Sequence, residues 1–246
     1  MNETLRTLHD HRSIRAYTDQ PVAEETLTAL IAAVQHVPSS MNGQQVSLIV
    51  VRDAEKRKQI SVIAGGQPWI AQAPVFIALV IDFHKTALGV AESGGRQVIH
   101  ESLEGIIVGA IDAGIILGNL MTAAESLGLG IVPIGAMRAN PRAMIDLLQL
   151  PLLTFPVVGM CLGYPADRSH RKPRLPLATF RHEECYQGAG LAAAIREYDQ
   201  ILLDHWQKVA RGEGTTWSAS LAAPYSRVYF PEVYPVARAQ GFTNDK

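Results

Sequence analysis

The sequence contains only two cysteines, Cys161 and Cys185, and they lie far apart. They form no C-x-x-C pair and have no histidine partner at the spacing of a zinc site, so neither a structural zinc site nor a disulfide scaffold is expected. Free cysteine is among the most buried residue types, and we expect both thiols to be isolated and mostly buried.

An excess of charge of either sign is also missing. Lys and Arg number 22 against 23 Asp and Glu, which leaves a formal net charge of -1. No global positive field would draw the chain onto nucleic acid or an anionic membrane, and we expect neither as a partner. With 48% hydrophobic and 18% charged residues, the 246 residues have the composition of a folded globular protein.

The amino terminus, "MNETLRTLHD", lacks the apolar segment of a secretory signal, so a cytoplasmic location is expected. The segment 105–121, "GIIVGAIDAGIILGNLM", is long and apolar but contains Asp112. A carboxylate inside a membrane is energetically costly. We therefore interpret this segment as a helix buried in a protein core or in a dimer interface.

Several nucleotide and metal motifs are absent as well. The chain has no Walker lysine motif, no G-x-G-x-x-G after its first strand and no H-E-x-x-H. The common nucleotide-binding folds are therefore disfavoured, and no metal site is expected. Any ligand must be recognised by other means.

Hydrophobic patterns predict the secondary structure. Apolar, β-branched runs that begin at Val46, Ala73 and Phe155 predict strands, and 131–136 predicts a strand or an extended loop. Helices are predicted at the start of the chain and at 21–38, 53–66, 97–127, 141–150 and 189–212. Strands that are hydrophobic along their whole length are buried on both faces, so the sheet should carry helices on each side.

Two basic segments stand far apart in the chain. Their side chains are His11, Arg12, Ser13 and Arg15 in the first, and Arg171, Lys172 and Arg174 in the second. Guanidinium, imidazole and hydroxyl groups are the donors that phosphate recognition uses, so the segments suggest one dianionic ligand held from two sides. The alternative is that both are solvated surface charge, because charged side chains are mostly exposed.

Two polar loops, 38–45 ("PSSMNGQQ") and 65–69 ("GGQPW"), follow predicted helices. Their amides and hydroxyls can hydrogen-bond the edge of a heteroaromatic ring. Loops of this composition are more often simple turns.

Five blocks together carry a resemblance to a known family. They are "HRSIRAYTDQPV", "PSSMNGQQV", "GGQPWIAQAPVF", "AAESLGLGIVPIGAMRANP" and "LGYPADRSHRKPRLP". In order and in spacing they resemble the oxygen-insensitive NAD(P)H nitroreductases and flavin reductases of the NfsA/Frp type, strongly over Met1 to Tyr186 and more loosely beyond. Five ordered blocks favour the ligand-binding interpretation of the basic segments.

The resemblance implies an α+β, nitroreductase-like fold, with a central, mainly antiparallel sheet flanked by helices and a C-terminal helical excursion. Residues 1–180 would form the FMN-binding core, and residues 181–246 would form the helical excursion and a tail that wraps the dimer. It further implies an intertwined homodimer with FMN at the interface between the subunits.

The resemblance also assigns the residues of an FMN site. His11, Arg12, Ser13 and Arg15 would hold the phosphate and ribityl chain, and Lys172 and Arg174 would close on the phosphate and ring. Polar atoms of the ribityl chain or the ring would meet Ser39, Asn42 and Gln67. Backbone groups near the reactive ring nitrogen would come from Pro133, Ile134, Gly135 and Ala136, with proline at 133 where relatives often have an aromatic residue. No side chain is assigned a catalytic role.

The implied activity is two-electron hydride transfer from NAD(P)H by a ping-pong route. The acceptors left open are nitroaromatics, quinones, free flavins, azo dyes and oxidised metal ions. Arg211 would read the 2′-phosphate of NADPH, while the nearby Glu213 would weaken that preference and leave measurable use of NADH. The rival interpretation is a non-catalytic FMN-binding sensor or carrier.

Overall fold

The computed structural model describes residues 1–167 and 169–246. Its contacts divide the chain into two compact units. The first unit comprises Met1–Ser169 and Phe230–Lys246, and the second comprises His170–Tyr229. The division at residue 180 stays a prediction from the resemblance.

The first unit is built on a four-stranded antiparallel sheet in the order β1-β2-β4-β3. The strands are β1 Val46–Val51, β2 Val75–Asp82, β3 Gly130–Ile134 and β4 Thr154–Gly163. One row of paired residues crosses the whole sheet, from Ile49 through Ala78 and Gly159 to Ile134. The predicted α+β fold with an antiparallel sheet is confirmed, and each predicted strand is present.

Helices surround this sheet, and two further helices lie in the second unit. Those of the first unit are α1 Glu3–Asp10, α2 Glu24–Gln35, α3 Ala54–Ile63, α4 Pro68–Gln72, α5 Phe83–Glu92, α6 Leu103–Ser126, α7 Pro141–Leu148 and α10 Val233–Ala239. Those of the second unit are α8 Leu191–Lys208 and α9 Trp217–Tyr225. The predicted cap of α7 is confirmed, because the Asn140 side chain accepts a hydrogen bond from the backbone N–H of Ala143, with Pro141 in the first turn.

Strand β2 is buried on both faces, as its continuous apolar sequence predicts. Ile77 and Leu79 pack into one core with Leu120 of α6, while Phe76 packs into another with Ile60 of α3. These residues alternate along the strand, and successive side chains of a strand point to opposite faces. The sheet therefore carries helices on each side.

A third core closes one end of the first unit. Phe242, which follows α10, lies 6.0 Å from Phe83 and 6.3 Å from Phe155 between ring centroids. The end of the chain is held by the backbone N–H of Asp245, which donates to the carbonyl of Glu101. These final residues therefore pack on the core of their own chain.

Helix α6 is shorter than the predicted 97–127. It begins after Ser102, whose hydroxyl accepts a hydrogen bond from the Gly105 N–H, and a 3₁₀ turn, Ile99–Glu101, precedes it. The helix is long and apolar enough to cross a membrane by length and composition, and only 22% of its most apolar stretch is buried. Its exposed apolar side chains are Leu103, Ile107 and Ile111.

Helices α4, α5, α9 and α10 were not predicted from the sequence, and the expectation for one cysteine was wrong. Helix α5 follows β2 directly, because the Asp82 carboxylate accepts a hydrogen bond from the Lys85 N–H and so begins a helix. Cys161 is buried in β4, as expected, but Cys185 is exposed. The expectation for Cys185 was wrong because this residue lies on an irregular segment rather than in a core strand.

A glycine in β4 permits the close packing of the sheet. A methyl group on Gly159 would overlap the Phe76 ring, and that ring is fully buried. We predict that Gly159→Ala lowers the free energy of unfolding by about 1–3 kcal/mol, the usual effect of overpacking. Urea unfolding measures it.

Gly89 of α5 provides the matched control, because a methyl group there meets nothing within 4 Å. Gly89→Ala should stabilise by about 0.5–1 kcal/mol, since alanine favours the helix. Equal unfolding midpoints for the two variants would contradict this account of the core.

Candidate active site

Residues 14–18 cross the end of the sheet. The Ile14 N–H donates to the Ile131 carbonyl of β3 at 2.8 Å, and the Thr18 N–H donates to the Tyr164 carbonyl after β4 at 2.9 Å. Tyr17 forms an isolated bridge with Pro165. These backbone bonds fix the segment that carries the predicted ligand residue Arg15.

Arg15 presents an exposed guanidinium supported by an aromatic ring. Its Cζ atom lies 5.4 Å from the centroid of the Trp69 ring, a cation–π distance. In residues 1–167 and 169–246, no carboxylate pairs with Arg15. The indole N–H of Trp69 is buried and has no hydrogen-bond partner in the same described ranges. The sequence pattern predicted a ligand role for Arg15 but gave no signal for Trp69, which lies two residues after Gln67.

Gln67 is the N-cap residue of α4 and lies two residues before Trp69. Its side-chain amide donates to the Ala64 carbonyl at 3.0 Å, and its own backbone carbonyl accepts from the Ser61 hydroxyl at 2.6 Å. The side chain is therefore oriented by the protein. Its remaining oxygen is the group that a ligand with a hydrogen-bond donor could meet.

Hydrogen bonds within the protein already engage His11, Arg12 and Ser13. His11 Nδ1 lies 2.7 Å from Glu125 Oε1, and Arg12 Nε donates to the Asp10 carbonyl at 3.1 Å. The backbone carbonyl of Ser13 accepts from the Ser169 hydroxyl at 2.9 Å. Arg15 is therefore the cation of this segment best placed to meet an anion.

Pro133 to Ala136 form the end of β3 and the following 3₁₀ turn, Gly135–Arg138. Ile134 is buried in the same core cluster that Trp69 and Ala136 border. The structure thus brings this segment and Arg15, through Trp69, to one side of the sheet. Pro133 pairs with Met160 on the edge strand, a position where proline is tolerated.

Two ionisable groups lie beneath Arg15. Burial raises the pKa of Tyr17 and of Cys161, and the charge of Arg15 opposes the rise in both. Both groups are therefore protonated at neutral pH. A thiolate at Cys161 is unfavourable, so this side chain is not a nucleophile.

Ser39 and Asn42 lie on a separate, strained loop. Met41, Asn42 and Gln44 have φ values of 52°, 55° and 50°, in the left-handed region that residues other than glycine rarely adopt. Such strain persists only where the surroundings hold it, and it is enriched at functional sites.

The carboxylate of Asp112 holds this loop. It accepts the Ser40 N–H at 3.2 and 3.3 Å and the side-chain amide of Gln45 at 2.6 Å. Asp112 is 3% exposed and stands on α6. The sequence had shown it only as an interruption of an apolar run; a lone acid in such a helix was the available signal.

A cavity of about 270 Å³ opens beside the loop. Its polar lining includes Ser39, Gln44, Lys85 and Asp112, and its apolar lining comes from α2, the loop after it, β1 and α6. The cavity is therefore large enough for part of a ligand or for a side chain of another subunit.

Two groups of predicted site residues, at 11–15 and at 39–42, contact different parts of α6. Helix α6 contacts the first set through Glu125, which binds His11, and the second through Asp112, which binds Ser40. Thirteen residues separate Asp112 from Glu125 on the helix, or about 20 Å at 1.5 Å per residue. In one chain, His11 and Ser40 are therefore held at points of α6 about 20 Å apart.

The remaining predicted residues belong to the second unit. Lys172 Nζ lies 5.5 Å from the Trp206 ring centroid, and Arg174 donates to the carbonyls of Lys172 and Pro173. The backbone N–H of Arg211 donates to the Trp206 carbonyl. Their part in any site of the first unit stays a prediction.

Comparison with known families agrees with this architecture. Residues 8–164 match the nitroreductase family and residues 172–245 match the C-terminal domain of the nitroreductase family. The chain belongs to the nitroreductase family. The resemblance predicted from the five sequence blocks is confirmed.

Individual members of the family are similar over the full length. A protein named FMN reductase (NAD(P)H) from Bacillus subtilis is 48% identical over 249 residues, covering 100% of each chain. An oxygen-insensitive NADPH nitroreductase from Salmonella typhimurium is 34% identical, covering 98% of this chain and 99% of that one. The structure of an NADPH:FMN oxidoreductase from Vibrio harveyi, complexed with NAD+, superposes with a TM-score of 0.88 at 33% identity and covers 98% of both chains.

The Asp112 contacts lead to a test of the loop. Asp112→Ala would leave the Ser40 N–H and the Gln45 amide without their acceptor, and an unsatisfied buried donor costs about 1–3 kcal/mol. We predict a loss of stability in that range, together with faster amide hydrogen exchange at 39–45.

Glu104→Gln is the control, because Glu104 is an exposed acid on the same helix. It should change stability by less than about 1 kcal/mol, the effect of a charge at a helix end. Unchanged exchange at 39–45 in the Asp112 variant would show that the loop does not depend on this carboxylate.

Proposed function

We propose that this nitroreductase-family protein is an FMN-dependent NAD(P)H oxidoreductase that reduces nitroaromatics, quinones or flavins by two-electron hydride transfer. The observation that carries the proposal is Arg15, an exposed guanidinium stacked on Trp69 beside the Gln67 turn. It stands in a chain that is 48% identical, over its full length, to a protein named FMN reductase.

The donor set of the first unit fits a phosphorylated flavin. A guanidinium without a carboxylate partner suits a phosphate, and the oriented side chain of Gln67 suits a polar ring edge. When bound, FMN would supply the redox chemistry, in which a hydride passes from NAD(P)H to the flavin and then to the acceptor. Lys172 and Arg174 belong to the second unit, so their role in FMN binding rests on the resemblance alone.

The protein contributes binding, orientation and exclusion of water. Arg15 would hold the anionic end of the cofactor, Gln67 would orient the ring, and Pro133 to Ala136 would line the site with backbone groups. No side-chain nucleophile is required for this chemistry, and the protonated state of Cys161 accords with that.

We further propose that the active form is a homodimer. The exposed side chains of Leu103, Ile107 and Ile111 are spaced four residues apart, so they form one apolar stripe along α6. A second copy packed on this stripe would cover it. The same copy would bring its own Ser39 and Asn42 to the site, because the α6 residues that bind His11 and Ser40 lie about 20 Å apart in one chain.

NADPH, with some use of NADH, is proposed as the electron donor, and the cytoplasm as the location. The names of the relatives support a nicotinamide donor. The small net charge is in keeping with a protein that works among soluble metabolites.

The proposal predicts a yellow protein that turns over. Purified protein should carry noncovalent FMN, and anaerobic NADPH should bleach its visible absorbance. Nitrofurazone or free FMN, offered separately, should restore the colour and sustain NADPH oxidation with parallel double-reciprocal lines. Bleaching without turnover would instead indicate a sensor or carrier.

Arg15→Ala links that activity to the proposed site. Loss of a hydrogen bond to a charged group costs about 1.5–3 kcal/mol, which corresponds to FMN binding weaker by about 10- to 150-fold. Arg52→Ala removes an exposed arginine elsewhere and should retain FMN. Full flavin occupancy in the Arg15 variant at low FMN concentration would remove Arg15 from the site.

The dimer has a separate test. Ile111→Glu places a charge in the apolar stripe of α6 and should convert a dimer of twice 26.7 kDa into a monomer, with loss of bound FMN. Leu152→Glu alters an exposed leucine on the loop before β4 and should change neither the mass of the dimer nor its bound FMN. Light scattering reports the mass, and a wild-type monomer that retains FMN would rule out the shared site.

A further inference from the structure

Helix α6 contains three acidic side chains, and two of them lie where a helix does not favour an acid. Glu104 is exposed in the first turn, a position that the helix dipole favours. Asp112 is buried in the middle of the apolar sequence, and Glu125 lies in the last turn, beside the negative end of the dipole. The stability of the helix itself therefore does not explain these two acids.

Each of the two acids binds a segment that carries predicted site residues. Asp112 accepts a hydrogen bond from the Ser40 N–H and so holds the loop 39–45 by its backbone. Glu125 binds a side chain instead, because its Oε1 atom lies 2.7 Å from Nδ1 of His11. The contact of Glu125 therefore acts directly on a predicted ligand residue.

The backbone next to His11 is fixed without this acid. The Ile14 N–H donates to the Ile131 carbonyl at 2.8 Å, and the Ser13 carbonyl accepts from the Ser169 hydroxyl at 2.9 Å. These bonds already determine the path of the chain after the histidine. The contact with the acid adds the orientation of the imidazole ring.

The bond between His11 and Glu125 is partly shielded from water. The two side chains are 25% and 16% exposed, so salt and solvent screen this contact less than they screen a pair on the open surface. An ionised carboxylate can only accept hydrogen bonds, so Nδ1 of the ring carries a proton. The contact therefore fixes both the direction of the ring and the nitrogen that faces α6.

The other ring nitrogen, Nε2, remains for a ligand. Within the parts of the chain that the structure describes, no protein group forms a hydrogen bond with Nε2 of His11. A ring that donates from Nδ1 to a carboxylate and from Nε2 to an anion carries both protons and one positive charge. Glu125 would supply the balancing charge on the protein side.

We infer that Glu125 is a positioning residue for the phosphate of FMN, because it orients the His11 ring and leaves Nε2–H as the donor. The inference rests on the proposed function and on the phosphate role that the family resemblance implies for His11. Glu125 acts only through the imidazole ring. Its effect must therefore concern the phosphate and must require His11.

A comparison of FMN with riboflavin isolates the phosphate, because riboflavin has a hydroxyl group in its place. Dilution of the flavin-loaded protein, followed by the fluorescence of the released flavin, gives each dissociation constant. Glu125→Met removes the acceptor and should weaken FMN binding by about 3- to 30-fold, the range of a coupling between neighbouring residues. Riboflavin binding should stay within about 2-fold of wild type, as for an independent site.

The same measurements in a His11→Ala protein separate positioning from a structural role. Glu125→Gln keeps an acceptor oxygen without the charge, so it should weaken FMN binding less than Glu125→Met. Without the imidazole ring, both changes should have no effect on FMN affinity. The inference is overturned by a loss that persists without His11, by an equal loss for riboflavin, or by unchanged FMN affinity in both variants. If Glu125→Met does not fold, the cycle with Glu125→Gln decides.

Glu92→Met is the matched control, because Glu92 is an exposed acid in the last turn of α5. Its affinities for both flavins should equal those of wild type. The proposed function is judged separately, by NADPH oxidation with nitrofurazone. Turnover in wild type with no effect of position 125 would refute only the positioning role, whereas a wild type that binds no FMN would refute both.

Discussion

The burial of β2 on both faces is the constraint on which the rest of the first unit depends. A strand with Ile77 and Leu79 on one face and Phe76 on the other exposes apolar surface in two directions, so helices must cover both. Helix α6 covers one of them with Leu120 and Ala124. It is longer than the sheet needs, and its opposite side stays exposed. The apolar stripe and the contacts with both groups of candidate residues therefore lie on the same helix that covers β2.

Much of the fold could be predicted from the sequence because it depends on local patterns. Continuous β-branched runs located the strands, and Asn140 with Pro141 located the start of α7. The start of α6 was placed too early, because the apolar pattern extends back beyond the Ser102 cap into a 3₁₀ turn. Helix α5 was missed because its signal is a single capping carboxylate, Asp82, at the end of an apolar strand.

The candidate site was less predictable, because its geometry comes from contacts distant in the chain. Arg15 was identified by its charge, but its support by Trp69 depends on residues 54 positions apart. Asp112 and Ser40 are separated by 72 positions. The separation of the two loops along α6 likewise had no sequence pattern. It appears only in the contacts that α6 makes with both loops, and it supports the proposal of a dimer.

The edge strand β3 has a consequence for solubility. Exposed sheet edges offer unpaired N–H and C=O groups that other chains can use to extend the sheet. In β3 the outward carbonyl of Ile131 is already bonded to Ile14, and Pro133, two residues on and facing the same way, has no N–H to offer. The outer edge of β3 is thus poorly suited to strand addition at Ile131 and Pro133. Pro133 therefore also disfavours edge-to-edge aggregation of the folded protein.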